Sequence, residues 1–93
     1  MTDDNDILKF KLFISGMSVK SVRAIENIKE IGARHLKNNY ELEIIDIAVS
    51  REKAAEYQIV AIPTLIKVSP EPVRTFVGDL SDHTKILHIL NID

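Results

Sequence analysis

The sequence predicts one α/β domain whose strands and helices follow the order βαβαββα. Two observations support this fold class: apolar and polar residues alternate in the first two strand segments, and a longer segment repeats apolar residues at helical spacing. A chain of 93 residues is long enough for one domain with a small core. We expect this domain to span residues 7–93, and residues 1–6 to form a flexible acidic N-terminus.

The first half of the chain predicts a βαβ unit. The first strand is expected at residues 7–15, and Gly16 ends it. Ser18 is a suitable cap for a helix that lasts to about residue 37, and a second strand follows at residues 40–47. A right-handed crossover makes two such strands parallel. The apolar positions of the helix are Val22, Ile25, Ile28 and Leu36.

The second half predicts a short helix, a hairpin and a last helix. Ser50 is expected to cap the short helix at residues 51–57. Strands at residues 64–68 and 73–77 are joined by a proline-containing turn and should pair as an antiparallel hairpin. The last helix takes its cap, its first-turn carboxylate and its apolar positions from Ser81, Asp82, Ile86, Leu87, Ile89 and Leu90.

Composition and charge exclude several functional classes. A net charge of −2 removes the electrostatic attraction that nucleic-acid binding usually needs. The longest apolar run, residues 59–66, is far shorter than a membrane span, and residues 1–6 lack the features of a signal peptide. The absence of cysteine excludes disulfides, thiolate catalysis and Cys-ligated zinc. We expect a cytoplasmic protein that binds neither nucleic acid nor membranes.

The segment Ile62-Pro63-Thr64, followed by a strand that ends at Gly78, resembles the second half of the thioredoxin fold. The resemblance implies a cis proline at Pro63, in front of a central strand. Thioredoxins carry Cys-x-x-Cys where this chain has residues 16–21, and the hydroxyls of Ser18 and Ser21 are far too basic to exchange disulfides. We interpret Ser18 as a helix cap; a hydroxyl that contacts glutathione beside the cis proline is the alternative.

The remaining chemistry-bearing residues form no catalytic or metal-binding pattern. His35, His83 and His88 have no partner three or four residues further along the chain, so neither a metal nor a cofactor is expected. Nothing in the order of Ser, His and Asp residues indicates an enzyme. Six basic residues are either ordinary solvated charges or a patch, near the first and third strands, that recognises an acidic protein surface. They are Lys9, Lys11, Lys20, Arg23, Lys67 and Arg74.

Seven short segments together resemble the KaiB family, over residues 9–90. They are Lys11-Leu12-Phe13-Ile14-Ser15-Gly16, Ser21-Val22-Arg23-Ala24, Ile44-Ile45-Asp46-Ile47, Pro63-Thr64-Leu65, Lys67-Val68, Pro72-Val73-Arg74 and Gly78-Asp79-Leu80-Ser81. The last segment distinguishes the chain from thioredoxins in general. The resemblance implies a regulatory protein rather than an enzyme.

KaiB proteins resemble thioredoxin in one of two folds, and each fold implies a different assembly. The thioredoxin-like monomer binds the N-terminal ATPase ring of KaiC, whereas an alternative packing of the C-terminal half, βαββααβ, assembles as a tetramer. In cyanobacteria the bound form sequesters KaiA and competes with a sensor kinase. The resemblance therefore implies a KaiC-like ATPase as partner, a sensor histidine kinase as a possible second one, and self-association to a dimer or tetramer, in circadian-type timing or stress regulation.

The resemblance also assigns roles to single residues. Contacts or supports of the ring-binding surface are Lys11, Arg23, Lys67 and Arg74. Pro63 is the proline next to the switching region, and Asp79 lies in the Gly-Asp-Leu-Ser turn. Ile89 and Asn91 stand where clock members commonly have Gly and Asp, and isoleucine favours a helix over glycine.

The second strand departs from clock members, which tend to have Ala and Lys where this chain has Glu41 and Glu43. The change reverses the charge of an edge strand implicated in partner docking, which argues against sequestration of KaiA. Two other functions stay open. One is a glutathione-dependent or redox-related protein that uses the cis-proline groove, and the other is a detached sensory module that binds a histidine kinase.

Overall fold

The computed structural model describes residues 7–92, and their elements follow the predicted order. The bounds are β1 (Leu8–Ile14), α1 (Val19–His35), β2 (Tyr40–Asp46), α2 (Arg51–Glu56), β3 (Thr64–Ser69), β4 (Arg74–Val77) and α3 (His83–Ile89). The α/β fold class is therefore confirmed. Residues 1–6, for which the sequence predicts a flexible acidic segment, lie outside the described residues.

The described strands form one sheet in the order β2-β1-β3-β4. β1 and β2 are parallel, as the βαβ unit predicts, and β3 is antiparallel to both β1 and β4. β2 and β4 are thus the edges of the sheet. The register pairs Thr64 with Phe13 on one side and with Val77 on the other. The loops after β1, β2 and β4 and the loop before β3 therefore meet at one end of the sheet.

The two faces of the sheet carry unequal cores. Phe10, Leu65 and Phe76 lie on the face covered by α1 and α3, which we call the α1/α3 face, and pack there with Ile28 of α1. The opposite face, which we call the α2 face, carries Phe13. A smaller apolar cluster surrounds it, and α2 itself contributes no buried residue. The α1/α3 face thus buries most of the apolar surface in the described part of the chain.

The buried stripe of α1 differs from the predicted one. Val22, Ile25 and Leu36 are only partly buried, whereas the buried positions are Ser21, Ala24, Ile28, Ile31 and Gly32. One position of the stripe requires a small residue, because β2 approaches α1 closely there. At Gly32, an added Cβ would overlap the ring of Tyr40 on β2.

The helix caps are as predicted at α1, in part at α2, and differ at α3. Ser18 caps α1, since its Oγ accepts a hydrogen bond from the Ser21 N–H at 3.3 Å. At α2, Ser50 is the N-cap residue as predicted, but its side chain makes no capping hydrogen bond and only its carbonyl accepts from the Lys53 N–H. At α3 the cap is Asp82, whose Oδ1 accepts from the Lys85 N–H at 3.1 Å, because the helix begins one residue later than a Ser81 cap requires.

Candidate functional site

Lys67 and Arg74 form a pair of adjacent cations on the α1/α3 face. They are cross-strand neighbours on β3 and β4, and the register places Lys67 beside Phe10 of β1. Lys67 is only 6% exposed, whereas Arg74 is exposed. Burial, and then the neighbouring positive charge of Arg74, lowers the pKa of Lys67. Within residues 7–92 neither cation has an ion pair with a carboxylate, so the pair is suited to receive an acidic group from outside.

Lys11 lies on the opposite face of the sheet, where a carboxylate of this chain already compensates its charge. Its Nζ is 2.5 Å from Oε1 of Glu43 on the neighbouring strand and 5.7 Å from the ring centroid of Tyr57. The hydrogen bond to Glu43 raises the pKa of Lys11, and the same bond lowers the pKa of Glu43. Lys11 therefore neutralises part of the negative charge of β2. This strand lies at the edge of the sheet, as the resemblance implies.

Arg23 lies near the loop that follows β4. Hydrogen bonds from the side chain and the backbone N–H of Ser81 lower the pKa of Asp79, and the positive charges of Arg23 and Lys20 lower it further. The carbonyl of Asp79 also accepts a 2.7 Å hydrogen bond from Nδ2 of Asn27. Arg23 is thus placed near Asp79, in the loop after β4, whereas Arg74 begins that strand.

The six basic residues therefore do not form one patch. Lys9 and Lys11 share the α2 face with the two glutamates of β2, whereas Lys67 and Arg74 share the other face. The reason is the alternation of side chains along a strand, which separates residues that are close in the backbone. Of the predicted partner-binding residues, the structure brings together only Lys67 and Arg74.

The serines at the position of the thioredoxin cysteines make structural hydrogen bonds. Ser18 Oγ donates to Ser21 Oγ at 2.9 Å, and Ser21 Oγ accepts from the Ser15 N–H at 3.3 Å. Ser21 is fully buried. The pair joins the end of β1 to the start of α1, and its two hydroxyls offer no thiolate-like nucleophile.

Pro63 lies at the same end of the sheet, on the loop before β3. The Ile62–Pro63 peptide bond is cis, as are the bonds before Pro70 and Pro72. The carbonyl of Pro63 accepts a 2.9 Å hydrogen bond from the Gly78 N–H. Pro63 is therefore bonded to the loop that carries Asp79.

Ile89 and Asn91 lie at the C-terminal end of α3. Ile89 is the last residue of the helix and packs, partly buried, against the core of the α1/α3 face. Asn91 has a φ of 60°, in the left-handed region that Asn tolerates at a helix end. Both residues thus suit the helical packing seen here.

Sequence reasoning missed a polar bridge between α1 and α3. His83 Nε2 lies 2.9 Å from Oδ1 of Asn27, although the two residues are 56 positions apart in the sequence. Because the two residues lie so far apart in the sequence, no local pattern signals their contact.

In the part of the chain that the structure describes, no group of three or more His, Asp or Glu side chains is placed to hold a metal, and no helix is long and apolar enough to cross a membrane.

Comparisons with known proteins identify the family. The KaiB domain model matches residues 11–92. The circadian clock oscillator protein KaiB of Trichodesmium erythraeum is 43% identical over 77 residues, which cover 83% of this chain and 74% of that protein. The KaiB of a Picosynechococcus species is 44% identical over the same shares of the two chains.

Solved structures support the fold. The N-terminal domain of Synechococcus elongatus SasA matches with a TM-score of 0.75 and 24% identity, over 91% of this chain and 84% of that one. The germline-specific thioredoxin Deadhead of Drosophila melanogaster matches with a TM-score of 0.72 and 16% identity, over 95% and 81% of the two chains. The thioredoxin-like fold is confirmed, and the family model together with the identity to curated relatives shows that this chain belongs to the KaiB family.

Proposed function

We propose that this chain is a non-enzymatic regulatory protein of the cytoplasm that binds a KaiC-like ATPase and acts in circadian-type timing or stress regulation. The observation that carries the proposal is the 43% identity, over 77 residues, to a circadian clock oscillator protein. The hydrogen-bonded serines at the thioredoxin cysteine position support the non-enzymatic part, because they offer no redox or nucleophilic chemistry.

The proposed contact surface centres on Lys67 and Arg74. A cation that is buried without a carboxylate partner is unfavourable by itself, and an acidic group on the ATPase would relieve that cost. Arg23 and Lys11 are proposed as outlying supports. Both already interact with a carboxylate of this chain: the positive charge of Arg23 lowers the pKa of Asp79, and Lys11 forms an ion pair with Glu43.

The test is binding of the purified chain to the KaiC homologue of its own organism, brought to equilibrium and measured by biolayer interferometry. Replacing Lys67 and Arg74 together by Glu should weaken binding by about 5- to 150-fold, the equivalent of about 1–3 kcal/mol. Arg51→Glu is the matched control, because Arg51 is exposed at the start of α2 on the other face. Its binding should equal that of the wild type.

Circular dichroism must show that each variant is folded, and Arg74→Glu alone, at an exposed position, serves if the double variant is not. Undiminished binding by folded Lys67 and Arg74 variants would remove these residues from the interface. If the wild-type chain does not bind the ATPase, the proposed partner is wrong, and the sensor histidine kinase becomes the partner to test.

We propose that the thioredoxin-like monomer exchanges with a tetramer in which the C-terminal half is repacked. Pro63 and Asp79 lie at the start and end of the β3–β4 hairpin, and Ile89 and Asn91 end α3. Replacing Ile89 by Gly removes about 0.5 kcal/mol or more of helix propensity. Ile89→Gly with Asn91→Asp should therefore shift the population toward the tetramer in size-exclusion chromatography at matched concentration, and a shift toward the monomer would overturn the proposal.

Glutathione binding is the second candidate, supported by the exposed Ser18 at the thioredoxin cysteine position, at the same end of the sheet as Pro63. A titration with glutathione, followed by NMR, tests it directly. Saturable shifts of the amide signals around Thr64 would favour this candidate. Unchanged spectra at millimolar glutathione would exclude it.

A further inference from the structure

Lys67 is a buried lysine without a counterion in the part of the chain that the structure describes. It is 6% exposed, and its neighbours in register are Phe10 on β1 and Arg74 on β4. Glu71, the carboxylate in the turn between β3 and β4, forms no ion pair with either cation. Every fully enclosed side-chain nitrogen or oxygen among residues 7–92 has a hydrogen-bond partner there, whereas Nζ of Lys67 has none. The amine therefore keeps a small opening to solvent.

These surroundings favour Lys67 as a nucleophile. Only the neutral amine has a free lone pair, and both desolvation and a neighbouring cation favour that form. Burial, and then the positive charge of Arg74, lowers the pKa of Lys67 from 10.5, so more of this amine is neutral at neutral pH than in a lysine with the ordinary pKa. Lys11 is the opposite case, because the hydrogen bond to Glu43 raises its pKa.

Arg74 determines which product the site would stabilise. Directly opposed residues of antiparallel strands have Cβ atoms about 4.5–5.5 Å apart, a separation that the long side chains of Lys and Arg can span. As unmodified cations the two side chains repel each other. Transfer of an acyl group to Lys67 would only remove this repulsion, whereas carbon dioxide leaves a carboxylate on the amine. A guanidinium binds a carboxylate with two parallel hydrogen bonds, so carbon dioxide is the electrophile that suits the site.

We propose that Lys67 reacts reversibly with carbon dioxide to form a carbamate that the guanidinium of Arg74 holds. The ammonium group releases a proton to water, and the lone pair of Nζ then attacks the carbon of carbon dioxide. A C–N bond forms while one C=O π bond breaks and leaves its electron pair on oxygen, and a second proton passes from nitrogen to water. No atom is oxidised or reduced by a second reagent, and the charge of the side chain changes from positive to negative.

The modification reverses a charge at the centre of the proposed contact surface. An acidic group of the ATPase that is attracted by Lys67 would be repelled by its carbamate, so carbon dioxide would weaken the complex. This consequence rests on the proposed function. Formation of the carbamate does not, and it is tested on the chain alone.

Carbamate trapping in the full chain tests the site. The chain is equilibrated at neutral pH with isotopically labelled carbon dioxide and bicarbonate, the carbamate is converted to a stable ester with triethyloxonium ion, and mass spectrometry maps the ester to single lysines. The adduct at Lys67 should exceed that at Lys11 by about two- to fivefold or more, because the ion pair with Glu43 holds Lys11 in the charged form. Dialysis against buffer free of carbon dioxide before trapping should remove the adduct.

Two variants and one control separate the pairing with Arg74 from burial alone. Lys67→Arg keeps the charge but has no amine, and it should lose only this adduct. Arg74→Gln should lower the adduct at Lys67 by about two- to fivefold, the size expected for one partly exposed charge pair. Arg51→Gln, at the exposed start of α2, should leave it unchanged. The proposal is overturned if the wild type carries no more adduct at Lys67 than at Lys11, or if Arg74→Gln, folded by circular dichroism, carries as much as the wild type.

Discussion

The two faces of the sheet differ in how they are stabilised. On the α1/α3 face, Leu12, Ile28 and Leu65 are fully buried and form part of one continuous cluster with both covering helices. On the α2 face the buried cluster consists of Phe13, Ile45 and Ile66, surrounded by partly exposed side chains. Because hydrophobic stabilisation scales with the apolar area removed from water, the α1/α3 face carries most of the folding free energy.

The same comparison separates two kinds of cation. Lys11, on the α2 face, is paired with Glu43 and lies over the ring of Tyr57. Lys67, on the α1/α3 face, is buried beside Arg74, and its pKa is lowered. The well-packed face thus holds a buried cation that has no carboxylate partner among the described residues, which is the arrangement expected of a residue kept for a partner rather than for stability.

The largest expected effect comes from a cavity on the α1/α3 face. Ile28→Ala should lower the free energy of unfolding by about 2–5 kcal/mol, because Ile28 is fully buried and the surrounding cluster cannot collapse around the gap. Ile45→Ala on the α2 face should cost less, about 1–2 kcal/mol, since its partly exposed neighbours can close in. Urea denaturation measures both. An equal or larger loss for Ile45→Ala would contradict the ranking of the two faces.

The next largest effect is expected where α1 approaches β2 closely, on the α1/α3 face. Gly32→Ala gains about 1 kcal/mol of helix propensity, but its Cβ would displace the ring of Tyr40, which also packs edge-on against Phe10. We expect a net loss of about 1–2 kcal/mol, typical of overpacking. Measured by urea denaturation, the same change in a Tyr40→Ala background should instead be stabilising, by up to about 1 kcal/mol. A loss of stability in that background as well would show that another contact limits the site.

The elements of the fold follow from local signals, and the grouping of the charges does not. Alternation in β1 and the Ser18 cap predict the first strand and helix, because such signals lie within a few residues. β3 is apolar on both faces around Leu65, so nothing local tells whether Lys67 lies on the same face as Lys11. Only the register between β1 and β3 separates them, and it depends on the packing of both faces. The bridge from Asn27 to α3 escapes prediction for the same reason.

The smallest effect concerns the Lys11–Glu43 pair on the α2 face. The hydrogen bond from Lys11 lowers the pKa of Glu43 below its ordinary value of 4.5, so at acid pH the unfolded chain takes up a proton before the folded one does. The stabilisation is therefore present above about pH 4.5 and is lost as the pH falls through the lower folded value.

Glu43→Gln removes the charge and should be less stable than the wild type at pH 7, with the difference shrinking toward zero near pH 3, as measured by urea denaturation at each pH. Glu41→Gln is the matched control, because Glu41 is exposed on the same strand and has no ion pair among residues 7–92. On the alkaline side the bond raises the pKa of Lys11 above 10.5, so its contribution disappears as the pH rises through that higher value. A difference at pH 3 as large as that at pH 7 would mean that Glu43 stabilises the fold through packing rather than charge. The ion pair of Lys11 would then contribute nothing, and the contrast between Lys11 and Lys67 would fail.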